Sequence, residues 1–270
     1  MSLYRQLLYF FREVENEVVH NVKITDDMLS KWQERLSELL NNGVVSFSQH
    51  QINTFFFNIL KRNLTVSSYR KNFKIRKLDF NKAQLSARSG DFLKEHVLLS
   101  ANLIRLKRDE QIQATLRRFS GWVSSIPTMG EGKPAQSIKT LSSDLLKPLK
   151  SLSFENRRVL IDQGHKFTAA VNNSIARDQG AIAVKWVSHW KETGYNYRLD
   201  HKKRDGHIFL LKNNPFVRNG YVRKTNVQYI EDVDGFGQLP FCRCYGVYLF
   251  SLRDLPIDML TEKGKKYING

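Results

Sequence analysis

Between Tyr195 and Cys244 the chain collects side chains able to do chemistry: Arg198, His201, the pair Asp205-Gly206, His207, and both cysteines of the protein in Pro240-Phe241-Cys242-Arg243-Cys244. The spacing Arg-x-x-His-x-x-x-Asp-Gly is short for a helical stripe. It closes on a turn pair, since glycine tolerates the positive φ that Asp-Gly turns require. The stretch therefore predicts an ordered loop leading into a strand. Cys242 and Cys244 stand one residue apart, and an extended chain would point them to opposite faces, which disfavours a disulfide between them.

Three chemistries suit this set. In a structural role, the loop folds back so that His201 and Asp205 bond the backbone of the Cys-Arg-Cys segment and Arg198 or Arg243 pairs with Asp200 or Asp205, because buried polar groups need partners. In a metal role, Cys242, Cys244 and His201 bind structural zinc, with His207 or Asp205 completing a tetrahedron of thiolate and imidazole ligands. In an enzymatic role, His201 and Asp205 form a general-base pair or part of a nuclease-like site. No phosphate-cradling Gly-rich loop or nucleophile elbow accompanies them.

Trp186 or Trp190, then Arg198, His201, Asp205 and Gly206, then Cys242-Arg243-Cys244, together resemble the C-terminal module of the phage head morphogenesis family, the Mu F-like minor head proteins. The helical stretch from Phe154 to Gln179 and the run Gly180 to Trp186 fit the same pattern, so the resemblance covers about the second half of the chain. It implies a low-copy virion component, made in the host cytoplasm and enclosed in the head. Such a protein associates with the portal and with capsid or scaffold proteins, lies with packaged DNA, and takes part in packaging or ejection. The alternatives are a DNA-processing or host-directed enzyme using His201 and Asp205, and a plain DNA-binding protein.

These residues need a scaffold, and 270 residues with 41% hydrophobic content can bury one. No apolar run is long enough to span a bilayer, and Met1–His20 carries acidic residues in place of a basic leader. The formal charge of +17 favours polyanionic surroundings. It is unevenly spread: residues 1–60 hold five Lys/Arg against seven Asp/Glu, whereas Lys61, Arg62, Arg70, Lys71, Lys74, Arg76, Lys77 and Lys82 face only Asp79. Tyr69, Phe73 and Phe80 are interleaved among these cations, which suits contact with phosphate and bases, or equally a solvated helix-loop with its aromatics in the core.

Helical spacing of Leu7, Phe10, Phe11, Val14 and Val18 predicts a first helix, and Thr25 followed by Asp26-Asp27 caps a second carrying Met28, Trp32, Leu36 and Leu39. Ser48 opens a third with Phe55-Phe56-Phe57 buried on more than one side. Helices over 92–106 and 110–119 follow, with Leu99, Leu103, Ile112, Leu116 and Phe119 in register. A loop over 124–135 leads to a helix over 137–149 and a long one capped at Ser153. After Gly180 the period becomes alternating through Ile182, Val184, Trp186, Phe209, Val222, Val227, Tyr229 and Val247. The tail Thr261–Gly270 reads as exposed. The expected class is α+β: a helical module over 1–80, a helical scaffold over 81–180, and a small strand-rich module over 181–270.

Overall fold

The computed structural model describes residues 2–20, 23–69, 82–125, 138–224 and 227–270. The fold is α+β, with helices first and a small sheet near the C-terminus. Helices α1 (Leu3–His20), α2 (Asp26–Gly43), α3 (Gln49–Tyr69), α4 (Lys82–Val123), α5 (Ile138–Leu145) and α6 (Lys147–Asp178) precede β1 (Ala183–Val187). Then come α7 (Leu199–Lys203), β2 (Ile208–Leu210), α8 (Pro215–Arg218), β3 (Tyr245–Leu249) and α9 (Glu262–Asn269). Compact packing divides the chain into two units, one of residues 1–51 and 99–160, the other of 52–98 and 161–270. The division read from sequence follows chain order; these units do not, because each is assembled from separate stretches.

The first unit is a helical core. All five apolar residues expected to face inward from α1 are buried, and they meet Trp32, Leu36 and Leu40 of α2 and Ile112 and Phe119 of α4. Thr25 caps α2 by accepting from the Met28 amide, and the acidic first turn complements the helix dipole. At the other end of α2, the Arg108 guanidinium donates to the Asn41 and Val44 carbonyls, meeting acceptors that a helix C-terminus leaves without partners. This explains a departure from expectation. The polar run near Arg108 is not a break between two helices: α4 passes through it, with no glycine or proline to stop it and Lys107 paired to Glu110 one turn on. Leu99 and Leu103 are exposed, so the apolar register anticipated there belongs to the helix only from Ile104 onward in this unit.

Helix α3 begins, at the end of the first unit's 1–51 stretch, with a reciprocal capping box in which Gln51 donates its amide to Ser48 Oγ and accepts from the Ser48 amide; the rest of the helix belongs to the second unit. Of the Phe run, Phe56 is fully buried against Phe167 while Phe57 is exposed, so the run is core on one side only. The break before the long helix falls at Leu146, not Ser153, because Pro148 is tolerated within the first turn of α6. The sheet order is β2-β1-β3, both pairings antiparallel, with Val184 opposite Phe209 on one side and Tyr248 on the other. Alternation gives β1 two buried faces. Val184, Trp186 and Phe209 enter a core with Ala176, Cys242 and Cys244, while Ala183 and Leu210 enter another with Val217, Val222, Leu255 and Leu260. Val222 and Tyr229, expected in strands, make only isolated bridges, to Leu260 and Leu210.

The tail is also structured. Thr261 caps α9 by accepting from the Gly264 amide and donates its hydroxyl to the Gly220 carbonyl. Gly264 is buried where a Cβ would lie 2.1 Å from the Tyr221 carbonyl oxygen. Gly to Ala in a helix ordinarily stabilises by about 1 kcal/mol. Here the sign reverses: Gly264→Ala must displace main chain and is expected to cost about 1–3 kcal/mol, read as a lower urea midpoint.

Candidate functional site

The stretch expected as a loop contains one short helix. Arg198 is the N-cap of α7, which carries Asp200 and His201, and Arg204 follows its end. The chain then turns at Asp205-Gly206, where Gly206 takes a φ of +81° as a turn glycine should, and enters β2. Asp205 secures that turn to β1, accepting from the Ser188 amide at 2.8 Å and the Trp190 indole N–H at 2.9 Å.

On the opposite side of the histidine, residues 239–244 are not extended. Cys242 N–H closes a turn on the Leu239 carbonyl, and Phe241 has a φ of +60°. That bend overturns the expectation of cysteines on opposite faces: Cys242 Sγ and Cys244 Sγ each lie 3.5 Å from His201 Nδ1. Both thiols are free. The segment is clasped from outside. Arg198 donates to the Pro240 carbonyl, the Tyr195 hydroxyl bridges the Phe241 carbonyl and Arg243 amide, and Asp162 Oδ1 accepts from the Phe241 amide. Arg243 lies over the Tyr195 ring and pairs with Glu192.

The other imidazole nitrogen is held as firmly. His201 Nε2 lies 2.7 Å from Asp234 Oδ2, whose second oxygen meets Arg204 at 2.7 Å; Arg204 also reaches Asp200. With a carboxylate at Nε2, that nitrogen carries the proton and Nδ1 presents its lone pair to the two sulfurs. Trp186 covers the imidazole edge-on at 5.3 Å and lies under the Arg204 guanidinium at 5.1 Å. His201, Cys242, Cys244 and Trp186 are all buried.

No family model, curated protein or solved structure matches this chain. The site's chemistry therefore has to come from its own atoms. Trp186, Arg198, His201, Asp205, Gly206, Cys242, Arg243 and Cys244, read from 186 to 244, all lie in or against one cluster. Trp190 joins them through Asp205. His207 does not: it is exposed beyond the turn, and among the described residues the close sets of metal-capable atoms are His201, Cys242 and Cys244, all buried, and Asp200, His201 and Asp234, neither of which includes it. The pairing of His201 with Asp205 is also absent, since His201 bonds Asp234 while Asp205 bonds Ser188 and Trp190. Arg198 and Arg243 meet a carbonyl and Glu192, leaving Asp200 and Asp234 to Arg204. Sequence reasoning missed Asp234 and Arg204. Asp200 and Arg204 at helical i,i+4 spacing were a usable signal for the second; nothing local marks Asp234.

Of the basic stretch read as a nucleic-acid surface, Lys61 is exposed on α3 and Arg62 is within the same helix, while Arg70, Lys71, Lys74, Arg76 and Lys77 lie outside the described residues.

The Cys244 thiol and the backbone amides of Cys244 and Gly237 favour Cys242 as thiolate and outweigh burial, so its pKa is lowered and that of Cys244 rises in response. Cys244 also borders a cavity of about 220 Å³ lined by His165, His189, Arg243 and Tyr245. Burial, with Arg243 nearby, holds His165 below its ordinary pKa.

Asp205 gives a pH test away from these ligands. The Ser188 amide lowers its pKa below 3.8, burial opposing and the Trp190 N–H assisting. A carboxyl depressed on folding stabilises above its unfolded pKa and loses that contribution as pH falls through the folded value. Unfolding midpoints should drop as pH falls from 5 toward 3, less steeply in Asp205→Asn; equal slopes would remove Asp205 from the acid transition.

Proposed function

We propose that the chain is a phage minor head protein: a low-copy virion component that associates with the portal during capsid assembly and is enclosed with packaged DNA. One observation carries this proposal. The residues that resemble the head-morphogenesis motif, spread from Trp186 to Cys244, converge on one buried cluster that fastens α7 and the 239–244 turn to the central strand β1. Convergence of these residues supports reading them as one motif. The +17 charge adds a physical reason for retention with DNA, through phosphate contacts that weaken as salt rises. No helix among the described residues is long and apolar enough to cross a membrane.

Quantitative mass spectrometry of nuclease-treated particles and of empty procapsids tests it. A few copies per particle in both are expected. A chain abundant in infected cells but missing from particles would overturn the proposal and favour a DNA-binding or processing role outside the virion.

A further inference from the structure

One imidazole lone pair faces two sulfur atoms at the same distance, and a single lone pair can accept from only one thiol proton. The arrangement is explained if all three atoms face a cation. Tetrahedral zinc, with Zn–S near about 2.3 Å and Zn–N about 2.0 Å, sets nitrogen and sulfur about 3.5 Å apart. That is the separation from His201 Nδ1 to each sulfur, 3.5 Å, and all three ligand atoms lie within 4.8 Å of one another.

Three further features fit a metal. The Nε2–Asp234 bond is the carboxylate–histidine contact that orients an imidazole ligand and raises its basicity. Trp186 Nε1 and Ser188 Oγ are buried without a hydrogen bond of ordinary geometry, and both lie against the Cys244 sulfur, where a thiolate would accept from them. Charge also balances: two thiolates neutralise Zn²⁺, His201 stays neutral, and Asp234 is matched by Arg204. The burial penalty of an unpaired ion is thus avoided.

We propose that His201 Nδ1, Cys242 Sγ and Cys244 Sγ bind one zinc ion, with water from the cavity beside Cys244 as fourth ligand. Both sulfurs bind as thiolates: the proton still held by Cys244 goes to solvent, and two Zn–S bonds and one Zn–N bond form. Thiolate and imidazole in a tetrahedral set select zinc over magnesium or calcium, which take oxygen ligands. His207 contributes nothing.

The full chain, purified under reducing conditions and stripped with chelator, is titrated with Zn²⁺ or Co²⁺ alone. Expected are one zinc per chain by elemental analysis, and with cobalt a thiolate charge-transfer band together with the strong visible bands of a tetrahedral ion. Cys242→Ser and Cys244→Ser should each weaken the charge-transfer band and His201→Ala the zinc affinity, while His207→Ala leaves both unchanged. Asp234→Asn should bind zinc about 10–100-fold more weakly. The cobalt spectrum of the wild-type chain needs no variant to fold. A wild-type chain with native circular dichroism that binds neither ion, one that takes another metal stoichiometrically instead, or zinc retained at full affinity by the double cysteine variant would overturn the site and leave a histidine–thiol hydrogen bond.

Discussion

Trp186→Ala is expected to destabilise the second unit by about 3–5 kcal/mol, the range for truncating a large buried aromatic. The indole is fully buried in the central strand, with ring centroids 4.5 Å from Phe236, 5.3 Å from His201 and 6.0 Å from Phe209. Alanine leaves a void on the face where β1 meets the His201 cluster. It also removes the ring beneath Arg204, freeing the guanidinium that holds Asp234. Trp186→Phe keeps an aromatic ring but lacks the Nε1–H beside Cys244, so its loss should be smaller. Urea unfolding gives the magnitude, and hydrogen exchange gives the place: amides of 183–187, 208–210 and 245–249 should lose protection together. If alanine costs less than about 1 kcal/mol, the ring is not the support of the site that its burial indicates.

How much of this could be read from residue types alone differs between the units. In α1, five apolar residues at helical spacing meant one buried face, and all five are buried, because a first helix with acidic residues between its apolar ones has only one way to face a core. The Thr25 cap was equally legible, since a cap is a local hydrogen bond. Arg108 was not. A charged run in mid-helix looks like an ending, and the carbonyls that give Arg108 its partners lie at the end of α2, more than sixty residues earlier. The tail is largely exposed, as its lysines suggested; its helix was not read, although Thr261-Glu262 is itself a start signal and Gly264 marks the close approach to Tyr221.

The site shows the same divide. Composition and spacing picked out His201, Cys242 and Cys244, because few residue types bind soft cations or buried protons. The geometry that makes them one site depends on a positive φ at Phe241, which nothing about a phenylalanine suggests, and on Asp234, reached through a fold of more than thirty residues. His207 was the opposite case. Its type was right and its position wrong, since one step past a turn glycine places it outside. Ligand identity is a property of residue type; ligand convergence is a property of backbone turns.

Phe119→Ala is the matching test in the first unit, again expected to cost about 3–5 kcal/mol. Phe119 is fully buried, with its ring centroid 5.5 Å from Phe10, 6.2 Å from Phe11 and 5.8 Å from Trp122, so its removal opens the point where α1 and α4 meet. The cluster around it draws only on residues of the first unit, while the cores around Trp186 and Leu210 draw only on the second. Exchange protection should therefore fall across 3–20, 26–43 and 104–123 and persist in 183–187 and 245–249, the reverse of the Trp186→Ala pattern. Zinc stoichiometry, measured on the same variant, should be unchanged. If each substitution instead strips protection from the whole chain, the two cores unfold as one cooperative body. Separate buried clusters would then be insufficient for separate stability.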